Sequence, residues 1–265
     1  MSEITYERVQ ANLTQLKLPR MAALVDAVAE EAANHEWTYL AFLDRLLDLE
    51  TAARFERDVA MKTKLAHFPF PKSLDDFDFS FQPSINERQI RELATMRFLA
   101  HGENVLLLGP PGVGKTHLAI ALGTAAIAQR NHVYFLTMFD LIEMLHRDAK
   151  EDRLGHRLRT LCKPKLLILD EMGYFPLDRM AAQFLFQLVS RRYRRGSIIL
   201  TSNKSFGEWG DVFSDHVLAT AILDRLLHFS ITVNIRGHSY RLREKRRAGV
   251  FHDLTAPEQE APTEH

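Results

Sequence analysis

The sequence predicts an α/β fold, a parallel five-stranded sheet between helices, preceded by a small all-helical N-terminal domain. Three observations carry this. After residue 100, short apolar runs alternate with helical stretches, the pattern of a parallel sheet covered on both faces. Before residue 67 the apolar residues recur at helical spacing instead. The 265 residues are 46% hydrophobic and 26% charged, which supports a packed core and excludes a disordered or fibrous chain. A single cysteine, Cys162, excludes an intramolecular disulfide.

Leu13, Leu16, Met21, Leu24 and Val28 define one helix face or two short helices, with Pro19 as the break. Thr38 can cap a longer helix, whose apolar side holds Leu40, Leu43, Leu46, Leu47 and Leu49. Residues 67–84 interrupt the period with three prolines and five phenylalanines and read as an extended, aromatic-rich linker. A helix is expected over 86–100, with Ile90, Leu93, Ala94 and Phe98 on one side and Gly102 beyond its end. Strands follow at 104–108, 132–137, 165–169, 197–200 and 231–235. Helices separate them at 115–129, 139–161 with an interruption, 178–195 and 216–228. From residue 252 no apolar pattern remains, so disorder is expected. No signal-peptide core opens the chain, and no apolar run approaches the ~20 residues of a bilayer span. A cytoplasmic protein without membrane contact is expected.

Gly109, Pro110, Pro111, Gly112, Val113, Gly114, Lys115 and Thr116 match G-x-x-x-x-G-K-[ST]. The match falls between an apolar strand and a helix, where a P-loop must sit. Its glycines let backbone N–H groups turn toward phosphate oxygens, and the helix adds the positive end of its dipole. Lys115 then reaches the β- and γ-phosphates of ATP, and Thr116 ligates Mg²⁺. His117, next in the chain, is either structural or near the nucleotide. The run Leu166-Leu-Ile-Leu-Asp-Glu171 brings two carboxylates to the C-terminal edge of a strand, where ligands bind in open α/β sheets. Asp170 suits the Mg²⁺ shell, and Glu171 can orient and polarise an attacking water. The next strand ends in Thr201-Ser-Asn203, whose amide can hold that water or the γ-phosphate. Arg225 or Arg241 could stabilise transition-state charge. Taken singly, Asn203 reads as a turn residue and each arginine as a surface ion-pair residue.

Together, the P-loop, the Asp-Glu pair, Thr-Ser-Asn and the two spaced arginines resemble the AAA+ ATPases. Over about residues 5–247 the chain is similar to the IstB-like ATP-binding proteins, helper ATPases of bacterial insertion-sequence transposition, themselves similar to DnaC-type helicase loaders. Further resemblance lies in Phe77-Asp-Phe79, in Phe186-Gln-Leu-Val-Ser-Arg-Arg-Tyr193, in Thr201-Ser-Asn-Lys-Ser-Phe-Gly-Glu-Trp209 and in Ile235-Arg-Gly-His-Ser-Tyr-Arg-Leu-Arg243. The resemblance implies an ATPase that forms a homo-oligomer with ATP sites at subunit interfaces, and double-stranded DNA and a cognate transposase as partners. It implies the sensor-1 position for Asn203, an arginine finger acting on a neighbouring subunit's nucleotide for Arg225, and sensor 2 for Arg241. The expected organisation is a helical partner or oligomerisation domain (1–66), the linker (67–84), an AAA+ ATPase domain (85–250) with little or no C-terminal lid, and an acidic tail (251–265).

Lys plus Arg and Asp plus Glu are both 34, a net charge of zero. The charge is uneven: residues 1–100 carry a net −4, residues 101–251 a net +8 and residues 252–265 a net −4. Three basic clusters lie in the middle block. The first is Arg147, Lys150, Arg153, Arg157, Arg159, Lys163 and Lys165. The second is Arg191, Arg192, Arg194 and Arg195, and the third Arg241, Arg243, Lys245, Arg246 and Arg247. No zinc finger or helix-turn-helix accompanies them, which suits largely sequence-independent phosphate binding. The acidic N-terminal block suits the transposase. Alternatives are a helicase loader with the same engine, a P-loop kinase of small molecules, and a passive DNA-binding scaffold. Intact Lys115, Asp170 and Glu171 argue against the scaffold, and the Asp-Glu pair followed by a sensor Asn argues against the kinase.

Overall fold

A computed structural model of the chain describes residues 3–213 and 215–240. They form two compact units divided between Lys62 and Thr63. The first unit holds α1 (Glu3–Gln15), α2 (Pro19–Asn34) and most of α3 (Tyr39–Leu65). Pro19 opens α2, where its missing N–H removes no helical bond. Leu13, Met21, Val28 and Leu46 close a small core. Glu50 of α3 is buried and caps α2, accepting the N–H groups of Arg20 at 2.8 Å and Met21 at 3.1 Å and the Nε–H of Arg54 at 2.9 Å. Burial works to raise the pKa of Glu50. The bonds from Met21, Arg54 and Arg20 outweigh it and hold the carboxyl below its usual range.

The second unit contains α4 (Glu87–Leu93), α5 (Arg97–His101), β1 (Asn104–Leu108), α6 (Lys115–Ala128), β2 (Val133–Thr137), α7 (Met138–Lys150), α8 (Leu154–Leu161), β3 (Leu166–Met172), α9 (Arg179–Arg192), β4 (Ser197–Ser202), α10 (Trp209–Phe213), α11 (His216–His228) and β5 (Ser230–Asn234). The strands form one parallel sheet in the order β2-β3-β4-β1-β5. Leu106, Leu167, Leu169, Ile198 and Leu200 of the sheet join one core with Leu141 and Leu145 of α7, Leu185 and Leu188 of α9, and Ile222 and Leu226 of α11. Short polar caps start the helices on time: Thr137 accepts from the Asp140 N–H, Asp178 from Ala181 and Asp215 from Leu218. Among the described residues no helix is long and apolar enough to cross a membrane.

Three details differ from the sequence-based expectation. The helix expected over 86–100 is two helices, because Met96 adopts a left-handed conformation (φ 62°) between α4 and α5. Strands β3 and β4 run past their apolar stretches to Met172 and Ser202; the backbone ladder continues where the side chains turn polar. The segment 67–84, expected as an extended linker, is folded onto the second unit. Phe68 packs edge-on against Phe135, Phe77 lies 4.8 Å from Phe79 and Phe81 lies 5.2 Å from Tyr240, centroid to centroid. Gln82 Nε2 donates to His238 O at 3.0 Å and Ser84 Oγ to Arg236 O at 2.7 Å. Rings at this density gain more by docking than by staying in water. Arg241, the rest of the third basic cluster, the lid region and the tail from residue 251 lie outside the described residues.

Candidate nucleotide-binding site

The C-terminal edge of the sheet opens into a pocket of about 280 Å³, walled on one side by the P-loop and on the other by the docked aromatic segment. The P-loop conformation needs its glycines. Gly112 has φ 82° and Gly114 φ 101°. A Cβ on Gly112 would collide with Ser239, and one on Gly114 would stand 2.7 Å from the Phe77 ring. The loop is thus shaped both by its own turns and by what packs on its back. Gly114 is the N-cap of α6, so the first N–H groups of that helix face the pocket edge. Lys115 is folded back over the loop and donates to Gly109 O at 2.7 Å and Pro110 O at 2.8 Å. His117 lies 5.1 Å from the Phe77 ring, edge to face, and donates Nε2–H to Ser73 O at 3.1 Å. Burial, more than any neighbour, pulls its pKa down, so the ring is neutral at pH 7.

Two strands away, Asp170 is 3% exposed. Thr116 Oγ1 donates to both of its oxygens at 3.0 Å, and Thr201 Oγ1 donates to Oδ1. Burial raises the Asp170 pKa, against the pull of Thr201, Thr116 and Lys115. The register of β3 on β4 slips between Leu169 and Met172, and Glu171 takes a left-handed conformation (φ 67°) in that bulge. For a residue with a side chain this is strained. The strain turns Glu171 into the pocket wall. Its N–H donates to Thr201 Oγ1 at 3.0 Å. Thr201 therefore ties both carboxylate residues to β4, a role that sequence reasoning does not assign to it. Its position one strand over, at the same sheet edge, is the signal that could have found it.

A hydroxyl and a buried carboxylate of raised pKa make a hard oxygen donor pair, the chemistry Mg²⁺ takes. A cation there would relieve the uncompensated burial of Asp170, so Thr116 and Asp170 fit the ion. Asn203 follows β4 and buries an Oδ1 without a partner among the described residues, but it does not line the pocket. Phe77, Gln82, Tyr174 and Tyr240 also line the pocket, with Phe70, Lys72, Asp76 and Asp78 of the docked segment. Gln82 and Tyr174 carry no sequence signal. Phe77 and Tyr240 lie in motifs that resemble the family's, with no role attached to either ring. Arg225 is elsewhere: it donates to Ser190 Oγ and lies 4.3 Å above the Phe186 ring, both on α9, and it does not line its own subunit's pocket.

The two described basic clusters are also thinner than their composition. Arg157 is paired with Asp148 at 2.6 Å and Arg153 with Glu151 at 2.8 Å. Arg192, expected as a surface cation, is 2% exposed and bonded to backbone carbonyls.

A family model described as IstB-like ATP binding protein matches residues 11–248. The chain is 52% identical over 240 residues to a Geobacillus stearothermophilus protein named as an ATP-binding protein of insertion sequence IS5376, covering 91% of this chain and 96% of that one. It is 49% identical over 245 residues to its namesake of insertion sequence IS21 in Pseudomonas aeruginosa, covering 92% of each. Among solved structures, AMPPCP-bound DnaA from Aquifex aeolicus superposes with a TM-score of 0.53 over 71% of this chain and 59% of that chain, at 20% identity, a likeness of fold.

Proposed function

This chain belongs to the IstB-like ATP-binding protein family, and from that premise we propose that it is an ATP-hydrolysing, DNA-binding helper of a transposase. The observation that carries the reading is the constellation at the sheet edge: Lys115 on the P-loop, Thr116 bonded to Asp170, and Glu171 turned into the same pocket. The relatives named for insertion sequences supply the setting.

Phosphate oxygens bound in the P-loop would compete with Gly109 O and Pro110 O for the Lys115 ammonium, a stronger charge-assisted partner than either carbonyl. Thr116 and Asp170 would hold Mg²⁺, which neutralises charge on the phosphates when bound. Glu171, fixed through its N–H to Thr201, would orient and polarise the attacking water, a contribution of about 10²–10⁴-fold. Asn203, outside the pocket lining, would need to turn its buried amide toward the phosphates to act as the sensor that the resemblance implies. Arg225, remote from its own pocket, is the candidate to complete a neighbouring subunit's site, which makes turnover depend on assembly. The ATP state would then favour an oligomer on duplex DNA, and hydrolysis would release it. The acidic first unit is the candidate surface for the transposase.

The test is duplex binding and sedimentation with ATP, ADP and no nucleotide, on the parent and Glu171→Gln. ATP should promote assembly and DNA binding, and Glu171→Gln should hold both states while releasing no phosphate. Nucleotide-independent binding by a monomer would overturn the switch. Arg225→Ala should lower turnover per subunit at concentrations where the parent assembles; turnover and assembly equal to the parent's would remove Arg225 from the mechanism.

A further inference from the structure

The opposite, N-terminal edge of the sheet carries a second concave site. Arg159 and Lys163 reach it from the end of α8 and the turn before β3. Arg191 and Arg195 reach it from the end of α9 and the turn before β4. With Cys162, Arg192 and Gly196 they line a cavity of about 310 Å³ that has no carboxylate in its wall. The sequence places these cations in two separate clusters; the fold brings one part of each to a single place. All four are exposed. Their cluster neighbours Arg157 and Arg153 have acidic partners, whereas these four enter none of the ion pairs among the described residues.

Arg192 holds the arrangement from beneath. Its Nη1 donates to Leu161 O at 3.0 Å and Pro164 O at 2.9 Å, and its Nη2 to Lys165 O at 3.2 Å and Ser197 O at 2.7 Å. These bonds tie the α8–β3 turn, which carries Lys163, to the α9–β4 turn, which carries Arg195. The remaining Nε–H is buried without a partner. Burial draws the Arg192 pKa down to about 10, which leaves it charged at neutral pH. Five cations therefore converge without an acid among the lining residues. Their mutual repulsion disfavours the bare protein and favours whatever polyanion relieves it.

We propose that this cavity is a backbone-phosphate contact site for duplex DNA, with Arg159, Lys163, Arg191 and Arg195 as the contacting residues and Arg192 as the positioning residue under them. The inference rests on the DNA-binding reading above and adds the surface. Backbone phosphate fits better than a nucleotide, because no aromatic ring or base-reading amide lines the cavity. The site is at the far ends of β3 and β4 from Asp170 and Thr201, so one subunit can hold ATP and DNA at once.

The experiment is titration of a labelled duplex of about 30 bp over roughly 50–200 mM salt, with the full chain in ATP. Arg191→Glu with Arg195→Glu should weaken binding at least about tenfold and lower the slope of log K against log salt by about 2, close to one unit for each phosphate no longer neutralised. ATP turnover without DNA should be unchanged. Unchanged affinity and slope, with a parent that binds, would overturn the site and leave the DNA-binding reading standing. A parent that binds no duplex in any nucleotide state would overturn both. The unmutated chain gives a second readout, because its single cysteine, Cys162, lines the cavity. Saturating duplex should slow maleimide labelling of Cys162 several-fold at matched oligomeric state, and inorganic phosphate at the same phosphate concentration should not. Labelling indifferent to duplex, or slowed equally by inorganic phosphate, would overturn the proposal.

Discussion

The two edges of one sheet each bury an ion; burial disfavours the charged form of both, and what differs is the kind of partner each meets. At the N-terminal edge Arg192 meets four carbonyls of its own chain, all within 3.2 Å. At the C-terminal edge Asp170 meets two hydroxyls, and burial still pushes its pKa up. Arg192, with four carbonyl partners and one unpartnered Nε–H, holds two turns together. Asp170, held by hydroxyls next to the P-loop, is a place for a cation to bind. In these terms Arg192 is a structural ion and Asp170 a candidate site ion.

The largest effect should come from breaking the structural ion. Arg192→Ala leaves four carbonyls at the α8–β3 and α9–β4 turns without their donor and should destabilise the second unit by about 3–5 kcal/mol. Denaturant unfolding reads this through Trp209, which is fully buried in the second unit, in a Trp37→Phe background. Arg192→Lys should recover only part, since an ammonium cannot fork to four acceptors. A loss under about 1 kcal/mol would mean that the carbonyls find water and that the contrast between the edges is false.

The site ion should behave the other way. Asp170→Asn should lower ATP turnover on the order of a hundredfold or more, yet raise the stability of the protein free of nucleotide and Mg²⁺ by about 0.5–2 kcal/mol, the usual size of a stability–activity trade. The sign follows from its raised pKa. The favourable contribution of the protonated carboxyl is complete below the unfolded value and is lost as pH rises through the folded one. Melting at pH 7 with chelator should therefore rank the Asn variant above the parent, and saturating ATP with Mg²⁺ should raise the parent more than the variant. A variant less stable than the parent without ligand would make Asp170 a structural ion like Arg192.

These two ions also mark how far the sequence could be read. The strand–loop–helix at 104–128 and the Asp170-Glu171 pair were legible because the chemistry is local: adjacent residues, one strand end, one turn. Arg192 was not. One arginine among four in Arg191-Arg-Tyr-Arg-Arg195 carries no mark of being the buried one, since its acceptors come from residues 161–165 and 197. The docking of 67–84 was hidden for the same reason: five phenylalanines announce that something must be covered, but not that Phe77 backs Gly114. Met96 broke a helix whose apolar period ran through it, because a left-handed residue leaves no trace in hydrophobic spacing. What depends on i and i+4 was visible, and what depends on residues far apart in the chain was not.

A smaller effect sharpens the C-terminal edge. Thr201 gives its proton to Asp170 and accepts the N–H of Glu171. Thr201→Val keeps the shape and removes both bonds. It frees the bulged Glu171 backbone and should cut kcat by about tenfold with the KM for ATP little changed, because misplacement of a water-orienting group is felt in the transition state. Thr201→Ser should restore most of the rate. A rise in KM with kcat intact would assign Thr201 to nucleotide binding instead.

The smallest effect tests whether the rule extends beyond the sheet. Glu50, in the first unit, is buried like Asp170 but partnered like Arg192: two backbone N–H groups and two arginines reach it. Because its bonds outweigh its burial, its pH dependence must run opposite to that of Asp170. Its pKa lies below the usual range, so its contribution is present above the unfolded value of about 4.3 and disappears as pH falls through the folded one. Glu50→Gln should cost the first unit about 1 kcal/mol at pH 7, the worth of a helix cap, and nothing once the parent carboxyl is itself protonated. Trp37 fluorescence in a Trp209→Phe background follows the first unit alone. Parent and variant curves that converge on acidification would make Glu50 a structural ion. Curves that stay parallel from pH 7 to pH 3 would show that the carboxylate charge is not what the α2 cap uses, and the distinction between the two kinds of buried ion would then hold only at the sheet.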